Sequence, residues 1–277
     1  MAFPRAEILA RLRRKVDCRE PIVIGGAGVG LVAKAIDRAG IDIIMAYNTG
    51  PFRMDGHGSL AGYLAYGDAN AITLDLAARI LPVVENTPVI AGIGAADPYR
   101  PVNAFISTIM AAGFSGVTNV PTAGIYDGNF RRQIDGTGLG YPKEIELIAS
   151  CRARDIFTIA YAFNEDEARA MAEAGADIVG AHVGLTTGGL IGSDDAVDME
   201  EACKRIEGMR AAAVAAQPNV LVVAHGGPFE DPDSVQACYD RVDVHGFLGA
   251  SSIERLPVER ALQQTVEAYR ALLLKPC

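Results

Sequence analysis

Residues 157–182, FTIAYAFNEDEARAMAEAGADIVGAH, contain one complete unit of the fold that the rest of the chain repeats. The apolar run that begins at Phe157 is typical of a strand buried on both faces. Asn164, with three acidic residues directly after it, is typical of a helix N-terminus, and Gly175 is a helix stop signal. A second apolar run follows from Asp177. The segment therefore predicts a strand, a helix and a second, parallel strand.

The same alternation continues in both directions, without a Pro/Ser-rich linker or a break in composition. Eight such units of about 35 residues favour closure of a parallel sheet into an α/β fold of the TIM-barrel type, (β/α)8. A further helix, over residues 5–16, precedes the first strand. We therefore predict a single TIM-barrel domain over residues 1–277 with an extra N-terminal helix. The strands are expected to begin at Pro21, Ile41, Pro88, Gly116, Phe157, Asp177, Val220 and Gly246. Long loops are expected after the second strand, over residues 48–70, and after the fourth, over residues 121–141.

A doubly wound nucleotide-binding sheet is the alternative, suggested by the glycine-rich segment at residues 25–30. Its glycines do not have the G-x-G-x-x-G spacing, and the second strand ends in Tyr47 and Asn48 instead of an acidic ribose ligand. The barrel is the better interpretation.

Charge and composition indicate which partners to expect. The net charge is −9, from 25 Lys and Arg against 34 Asp and Glu, and there is no Trp. Neither a phosphate-binding basic face nor a base-stacking surface is expected, so we predict no nucleic-acid partner. No apolar run is long enough for a membrane helix, and the N-terminus lacks the apolar core of a signal peptide. The five separated cysteines favour reduced thiols. We expect a cytoplasmic protein with no membrane partner.

Three of the four histidines are predicted to lie at the mouth of the barrel, where the strands end and where TIM-barrel enzymes carry their active sites. His182 and His225 follow the sixth and seventh strands, and His57 lies in the long loop after the second. His245 precedes the eighth strand and belongs to the floor. Mouth histidines could serve as general acid and base, or bind a metal with a carboxylate. The alternative is that each only hydrogen bonds a loop backbone.

The ends of strands seven and eight resemble an anion seat. Small residues there allow backbone N–H groups to approach a phosphate or carboxylate. The alternative is that the glycines serve tight turns and the serines cap one. The candidate binding residues are Gly226, Gly227, Gly249, Ser251 and Ser252.

Three further polar residues complete the predicted site. Asn119 and Asn48 lie at strand ends, and we expect them to stabilise oxyanion charge. Arg53 is expected to hold a substrate carboxylate, because guanidinium groups bind carboxylates with two hydrogen bonds. No lysine lies at a strand end, which argues against Schiff-base chemistry.

Seven segments along the chain resemble the phosphoenolpyruvate hydrolase-like family, also described as predicted TIM-barrel signal-transduction proteins. The resemblance implies a TIM barrel that releases phosphate from an enol phosphate with water. It also implies similarity to enzymes of the phosphoenolpyruvate mutase and isocitrate lyase type, in which a divalent metal holds an enolate. The segments are GSLAG from Gly58, YGDAN from Tyr66, GFSGVTNVPTAG from Gly113, TGLGY from Thr137, HVGLTT from His182, HGGP from His225 and HGFLGASSIERLP from His245.

The chain departs from the family in the loop after strand two. Pro51, Asp55 and His57 stand where the resemblance leads us to expect Arg, Ala and Arg. Fewer positive charges favour a less charged substrate, or a His–Asp pair with its own role.

Taken together, these residues favour a hydrolase or lyase that acts on a small anionic oxo- or enol-carboxylate through an enolate-like intermediate. Both a phosphoenolpyruvate-like substrate and a 1,3-dicarbonyl are compatible with it. The alternative is a metabolite-sensing or signalling barrel without catalysis. The sequence identifies no metal ligands, and a divalent metal such as Mg²⁺ stays open as cofactor. Apolar faces on the terminal helices favour a homo-oligomer.

Overall fold

Eight parallel strands close into a barrel in chain order, with β8 paired to β1. The computed structural model describes residues 2–195 and 197–275; Cys277, one of the cysteines expected to be reduced, lies outside them. This confirms the predicted TIM barrel. The strands are β1 (Ile22–Gly26), β2 (Ile43–Ala46), β3 (Val89–Gly92), β4 (Gly116–Thr118), β5 (Phe157–Ala162), β6 (Ile178–His182), β7 (Leu221–His225) and β8 (Gly246–Gly249).

Helices alternate with the strands and surround them. Within the described residues, no helix is both long enough and apolar enough to cross a membrane. The helices are α1 (Arg5–Asp17), α2 (Gly30–Arg38), α3 (Thr49–Met54), α4 (Ala69–Ile80), α5 (Val102–Ala112), α6 (Gly128–Gly136), α7 (Pro142–Ala153), α8 (Glu165–Glu173), α9 (Met199–Ala216), α10 (Pro232–Tyr239) and α11 (Arg255–Arg270), with short 3₁₀ turns at Ser59–Tyr63, Leu81–Val83 and Ala123–Ile125.

The extra N-terminal helix, α1, packs beneath the barrel. Ile8 and Leu12 are almost fully buried and join the same apolar cluster as the side chains inside the barrel. Arg5 binds the Asp177 carboxylate below β6, at 2.6 Å. The helix therefore closes the amino end of the barrel, and the opposite end stays available for a site.

The two long segments expected to be loops each contain a helix. Within the segment after β2, α3 positions Arg53, which forms a buried ion pair with Glu254. Within the segment after β4, α6 has an Arg131–Asp135 pair one turn apart, at 2.9 Å. The prediction of loops was wrong here because short helices held by such contacts have no long apolar period.

Candidate functional site

The site forms at the carboxyl ends of four strands. Along each strand, the side chains that point into the barrel form a column. Side chains alternate along a strand, so Phe157 and Ile159 point inward and Tyr161 continues that column. The columns of β2, β6 and β7 end in the same way. The residues that end these columns are Tyr47, Tyr161, His182 and His225, and all four line one cavity, which we call the mouth.

His182 and His225 are direct neighbours in the mouth. They occupy paired positions on β6 and β7, and their ring centroids are 4.5 Å apart. The Tyr161 ring lies 5.0 Å from His225, and Phe163 stacks on His182 at 4.4 Å. The histidines are 8% and 6% exposed, and the mouth has a volume of about 40 Å³. Two buried imidazoles thus meet in a small cavity.

Backbone contacts give the two histidines opposite tautomers. His225 Nδ1 lies 2.6 Å from the Leu248 carbonyl, so Nδ1 carries the proton and Nε2 has a lone pair. His182 Nδ1 instead accepts from the Gly184 N–H at 3.0 Å, so its proton is on Nε2. One ring therefore offers the mouth a proton acceptor and the other offers a donor.

Burial keeps both rings neutral at pH 7. It lowers the pKa of His225 to about 4, with the Leu248 carbonyl opposing and Arg53 adding to the shift. Burial also lowers the pKa of His182 well below its ordinary value, and repulsion from a charged His225 lowers it further. The tautomers assigned above are thus the forms present under ordinary conditions.

Two tyrosines add neutral hydroxyl groups to the mouth. Burial raises the pKa of both Tyr47 and Tyr161, so neither phenol ionises near pH 7. Both lie within reach of the histidine pair or of Arg53, whose guanidinium carbon is 5.3 Å from the centre of the Tyr47 ring. Such phenols can stabilise developing oxyanion charge by donating hydrogen bonds.

Arg53 lines the mouth, but most of its guanidinium is already engaged. Its Nε and Nη2 donate to Glu254 at 3.0 and 2.8 Å, and its Nη1 donates to Thr49. Burial alone would lower the pKa of Arg53, but the Glu254 carboxylate outweighs this effect and raises it. The prediction that Arg53 binds a substrate carboxylate with two hydrogen bonds is therefore wrong, because Glu254 already accepts from Nε and Nη2. Arg53 contributes little net charge to the mouth.

Asn119 lies outside the mouth, which corrects its assignment as an oxyanion donor. Its amide nitrogen donates to Glu144 at 2.6 Å and to the Tyr161 carbonyl at 3.2 Å, so both N–H bonds are used. Its oxygen accepts from the Tyr161 N–H at 2.8 Å. Asn119 therefore joins β4 to β5 and to α7, and holds Tyr161 in place.

His57 and Asn48 also lie away from the mouth lining. His57 is exposed, as is Asp55, and no hydrogen bond joins the two in the described part of the chain, so the expected His–Asp pair is absent there. The Asn48 amide donates to the Gly62 carbonyl at 2.6 Å and supports the turn after α3. The structure thus corrects the placement of both residues.

Only one of the five predicted anion-seat residues, Ser251, lines the mouth. Gly226 and Gly227 have positive φ angles of 79° and 61°. The Gly227 N–H donates to Gly184 at 3.0 Å, and a Cβ on Gly226 would lie 2.0 Å from the same carbonyl. These glycines pack the loop after β7 against the loop after β6, which is a turn role. Gly249 ends β8 and Ser252 follows it, and neither residue lines the mouth.

The mouth does not offer the ligands that Mg²⁺ prefers. Across residues 2–195 and 197–275, no three His, Cys, Asp or Glu side chains come together as a metal site. Glu254 is fully buried and does not line the mouth, and its carboxylate accepts from Arg53 and from the Gly28 N–H. A metal-binding imidazole normally donates its other N–H to an acceptor, and His182 has the opposite arrangement. The donor set fits proton transfer better than metal binding.

Sequence reasoning missed the two tyrosines and the role of Glu254. Tyr47 and Tyr161 carried the same signal as the histidines, because each comes at the end of an inward column. Glu254 sits in a helix start after β8, and nothing in its local sequence indicates that its partner is 201 residues away.

Comparison with known proteins identifies related chains. The family described as phosphoenolpyruvate hydrolase-like matches residues 7–272. The ToMV resistance protein Tm-1(GCR237) of Solanum lycopersicum is 46% identical over 272 residues, which is 98% of this chain and 36% of that protein. This chain therefore spans about a third of the length of that relative.

Two solved structures share the fold at low sequence identity. An oxaloacetate acetylhydrolase has a TM-score of 0.61 at 18% identity, covering 100% of this chain and 91% of that one. A phosphonopyruvate hydrolase in complex with oxalate and Mg²⁺ has a TM-score of 0.52 at 18% identity, covering 95% and 87%. At this identity the similarity establishes the barrel.

Proposed function

The chain belongs to the phosphoenolpyruvate hydrolase-like family, and on that basis we propose that it hydrolyses a small 1,3-dicarbonyl carboxylate through an enolate-like intermediate. The observation that carries the proposal is the neutral histidine pair with opposite tautomers, His225 as acceptor and His182 as donor. Hydrolases of small oxo-carboxylates among proteins with the same barrel support the choice of substrate.

The proposed reaction uses the residues of the mouth alone. His225 Nε2 takes a proton from water, and the resulting hydroxide adds to one carbonyl carbon of the substrate. The bond from that carbon to the central carbon then breaks, and its electron pair becomes the enolate of the second carbonyl. His182 Nε2–H, Tyr47 and Tyr161 donate to the developing oxyanions. The proton on His225 returns to the central carbon, giving a carboxylic acid and a ketone, or two carboxylic acids when the substrate is oxaloacetate.

Charge in the mouth favours the dicarbonyl over an enol phosphate. Arg53 is balanced by Glu254, and both histidines are neutral, so little positive charge remains for a phosphate group. A dicarbonyl with one carboxylate, or with two as in oxaloacetate, carries less negative charge than an enol phosphate that also has a carboxylate, and it requires less compensation. The absence of Arg at positions 51 and 57 agrees with this preference.

Mg²⁺, which the sequence left open, takes no part in the proposed reaction because the mouth lacks a carboxylate ligand set in the described chain. The cytoplasmic location expected from the sequence is retained as part of the proposal.

A panel of substrates tests the function. We expect the protein to split oxaloacetate or a 2,4-dioxo acid into two acids or an acid and a ketone, and to leave phosphoenolpyruvate intact. Proton and phosphorus NMR of the products, with a His182→Ala/His225→Ala double variant as blank, measures both reactions. If oxalate and the substrates raise the Tm and no product forms, the metabolite-sensing alternative replaces the enzyme.

We also propose that the chain assembles with copies of itself through α11. Leu262, Val266 and Tyr269 form one stripe along this helix and are 62%, 55% and 72% exposed. Stripes of this kind mark interfaces in soluble proteins.

Charge placed in the stripe should dissociate the oligomer. Light scattering after size-exclusion chromatography should give the wild type a mass above the 29.2 kDa of one chain. Leu262→Glu/Val266→Glu should reduce it to one chain, whereas Gln264→Glu, on another face of α11, should not. A monomeric wild type would contradict the proposal.

A further inference from the structure

A second, larger cavity lies beside the mouth and shares a wall with it. This cavity, the side groove, has a volume of about 640 Å³, against about 40 Å³ for the mouth. Tyr63 lines both. The segment after β2 contributes Tyr63 and Leu64 to its apolar wall. Helix α6 and the residues that flank it contribute Tyr126, Phe130, Ile134 and Leu139.

The aromatic part of this wall is held in a fixed arrangement. The Tyr126 hydroxyl donates to the Tyr63 carbonyl at 2.7 Å, and the two rings meet edge to face at 6.3 Å. Phe130 meets Tyr126 in the same way at 5.1 Å, yet Phe130 is 61% exposed and Leu64 is 55% exposed. Apolar side chains that are ordered but uncovered form a ready surface for an apolar ligand.

Charged groups at the groove are already paired. Arg100 binds Asp97 at 2.6 Å and Asp68 at 2.5 Å. Glu144 is buried and accepts from Asn119 and from the Ala123 N–H, and burial raises its pKa to about 8. One arginine against two aspartates leaves a single negative charge at this edge of the groove. A ligand in the groove therefore meets mainly aromatic and aliphatic surface and no unpaired positive charge.

We infer that the side groove binds an apolar arm of the substrate whose dicarbonyl head reacts in the mouth. The mouth is much the smaller cavity, and Tyr63 belongs to both linings, so an arm that leaves the mouth past this ring enters the groove. The substrate class is thus a 2,4-dioxo acid with an alkyl or phenyl group on its acyl end. This inference rests on the function proposed above and specifies its substrate.

A series of 2,4-dioxo acids with increasing alkyl length tests the inference, with oxalate as a probe of the mouth alone. By isothermal titration, affinity should rise roughly three- to fourfold per methylene until the groove is filled. Phe130→Ser should reduce the gain in affinity per methylene while leaving the affinity for oxalate unchanged. Leu31→Ser, which removes a similarly exposed apolar side chain from α2 outside the groove, is the matched control and should leave both unchanged.

The outcomes separate the two proposals. Oxalate binding with no dependence on arm length overturns the groove assignment and leaves the proposed function in place. If neither oxalate nor any dioxo acid binds, the function itself fails. If Phe130→Ser reduces the oligomer mass without affecting the series, the groove is a contact between copies and the inference is overturned.

Discussion

Glu254→Gln should lower the free energy of unfolding by roughly 3–5 kcal/mol, since it leaves the Arg53 guanidinium buried without its counter-charge. The pair has 2% and 0% side-chain exposure, and the two groups approach to 2.8 Å. Glutamine keeps the shape of the side chain, so the loss reports charge and hydrogen bonding and not a cavity. Denaturant unfolding measures it, and Tm should fall by roughly 10 °C.

An exposed ion pair of the same length provides the control. Arg205 and Glu201 also approach to 2.8 Å, one turn apart on α9, at 49% and 41% exposure. Glu201→Gln should cost under about 1 kcal/mol, because water screens such pairs. Adding Arg53→Met to Glu254→Gln removes the buried charge and should restore part of the stability. Equal losses from the two Glu→Gln variants would show that Arg53 is solvated.

The fold was predictable because its signal is local and repeated. Each strand is a short apolar run and each helix has its own start and stop, as in residues 157–182, so eight units could be counted without knowing any contact. The end of the barrel that carries the site followed from topology. The same rule placed His182 and His225 at one rim, where the structure pairs them directly.

The rest of the site depends on long-range contacts that the sequence does not show. Asn119 was predicted to donate to an oxyanion because it lies at the end of a strand. In the structure its amide group donates instead to Glu144, a residue of α7. Arg53 was expected to bind a substrate carboxylate. Its guanidinium group binds the carboxylate of Glu254 instead, which lies far along the chain. Polar side chains at a strand end can serve the site or support it, and only their partners distinguish the two.

Substitution of the two histidines should lower kcat/KM to different extents. His225→Gln removes the proton acceptor and should lower kcat/KM for the best substrate of the panel by roughly 10²–10⁴-fold. Complete loss of an oxyanion donor costs roughly 10²–10³-fold in rate. His182→Gln keeps an N–H close to the position of Nε2, so kcat/KM should fall by less than about tenfold. His245→Gln, at the floor beside β7, is the matched control and should leave kcat/KM unchanged.

The pH profile gives an independent measure of the same assignment. The acceptor must be neutral to take a proton, and the pKa of His225 in the free protein is about 4. Activity in kcat/KM should therefore persist as pH falls below 6.5, the value for an ordinary histidine, and be lost only near pH 4. Bound anionic substrate should raise the pKa of His225, because a negative charge favours the imidazolium, so the acid limb of kcat should lie higher. Equal losses in His182→Gln and His225→Gln, reversed by an added divalent metal, would indicate that both rings are metal ligands and would refute the division into acceptor and donor.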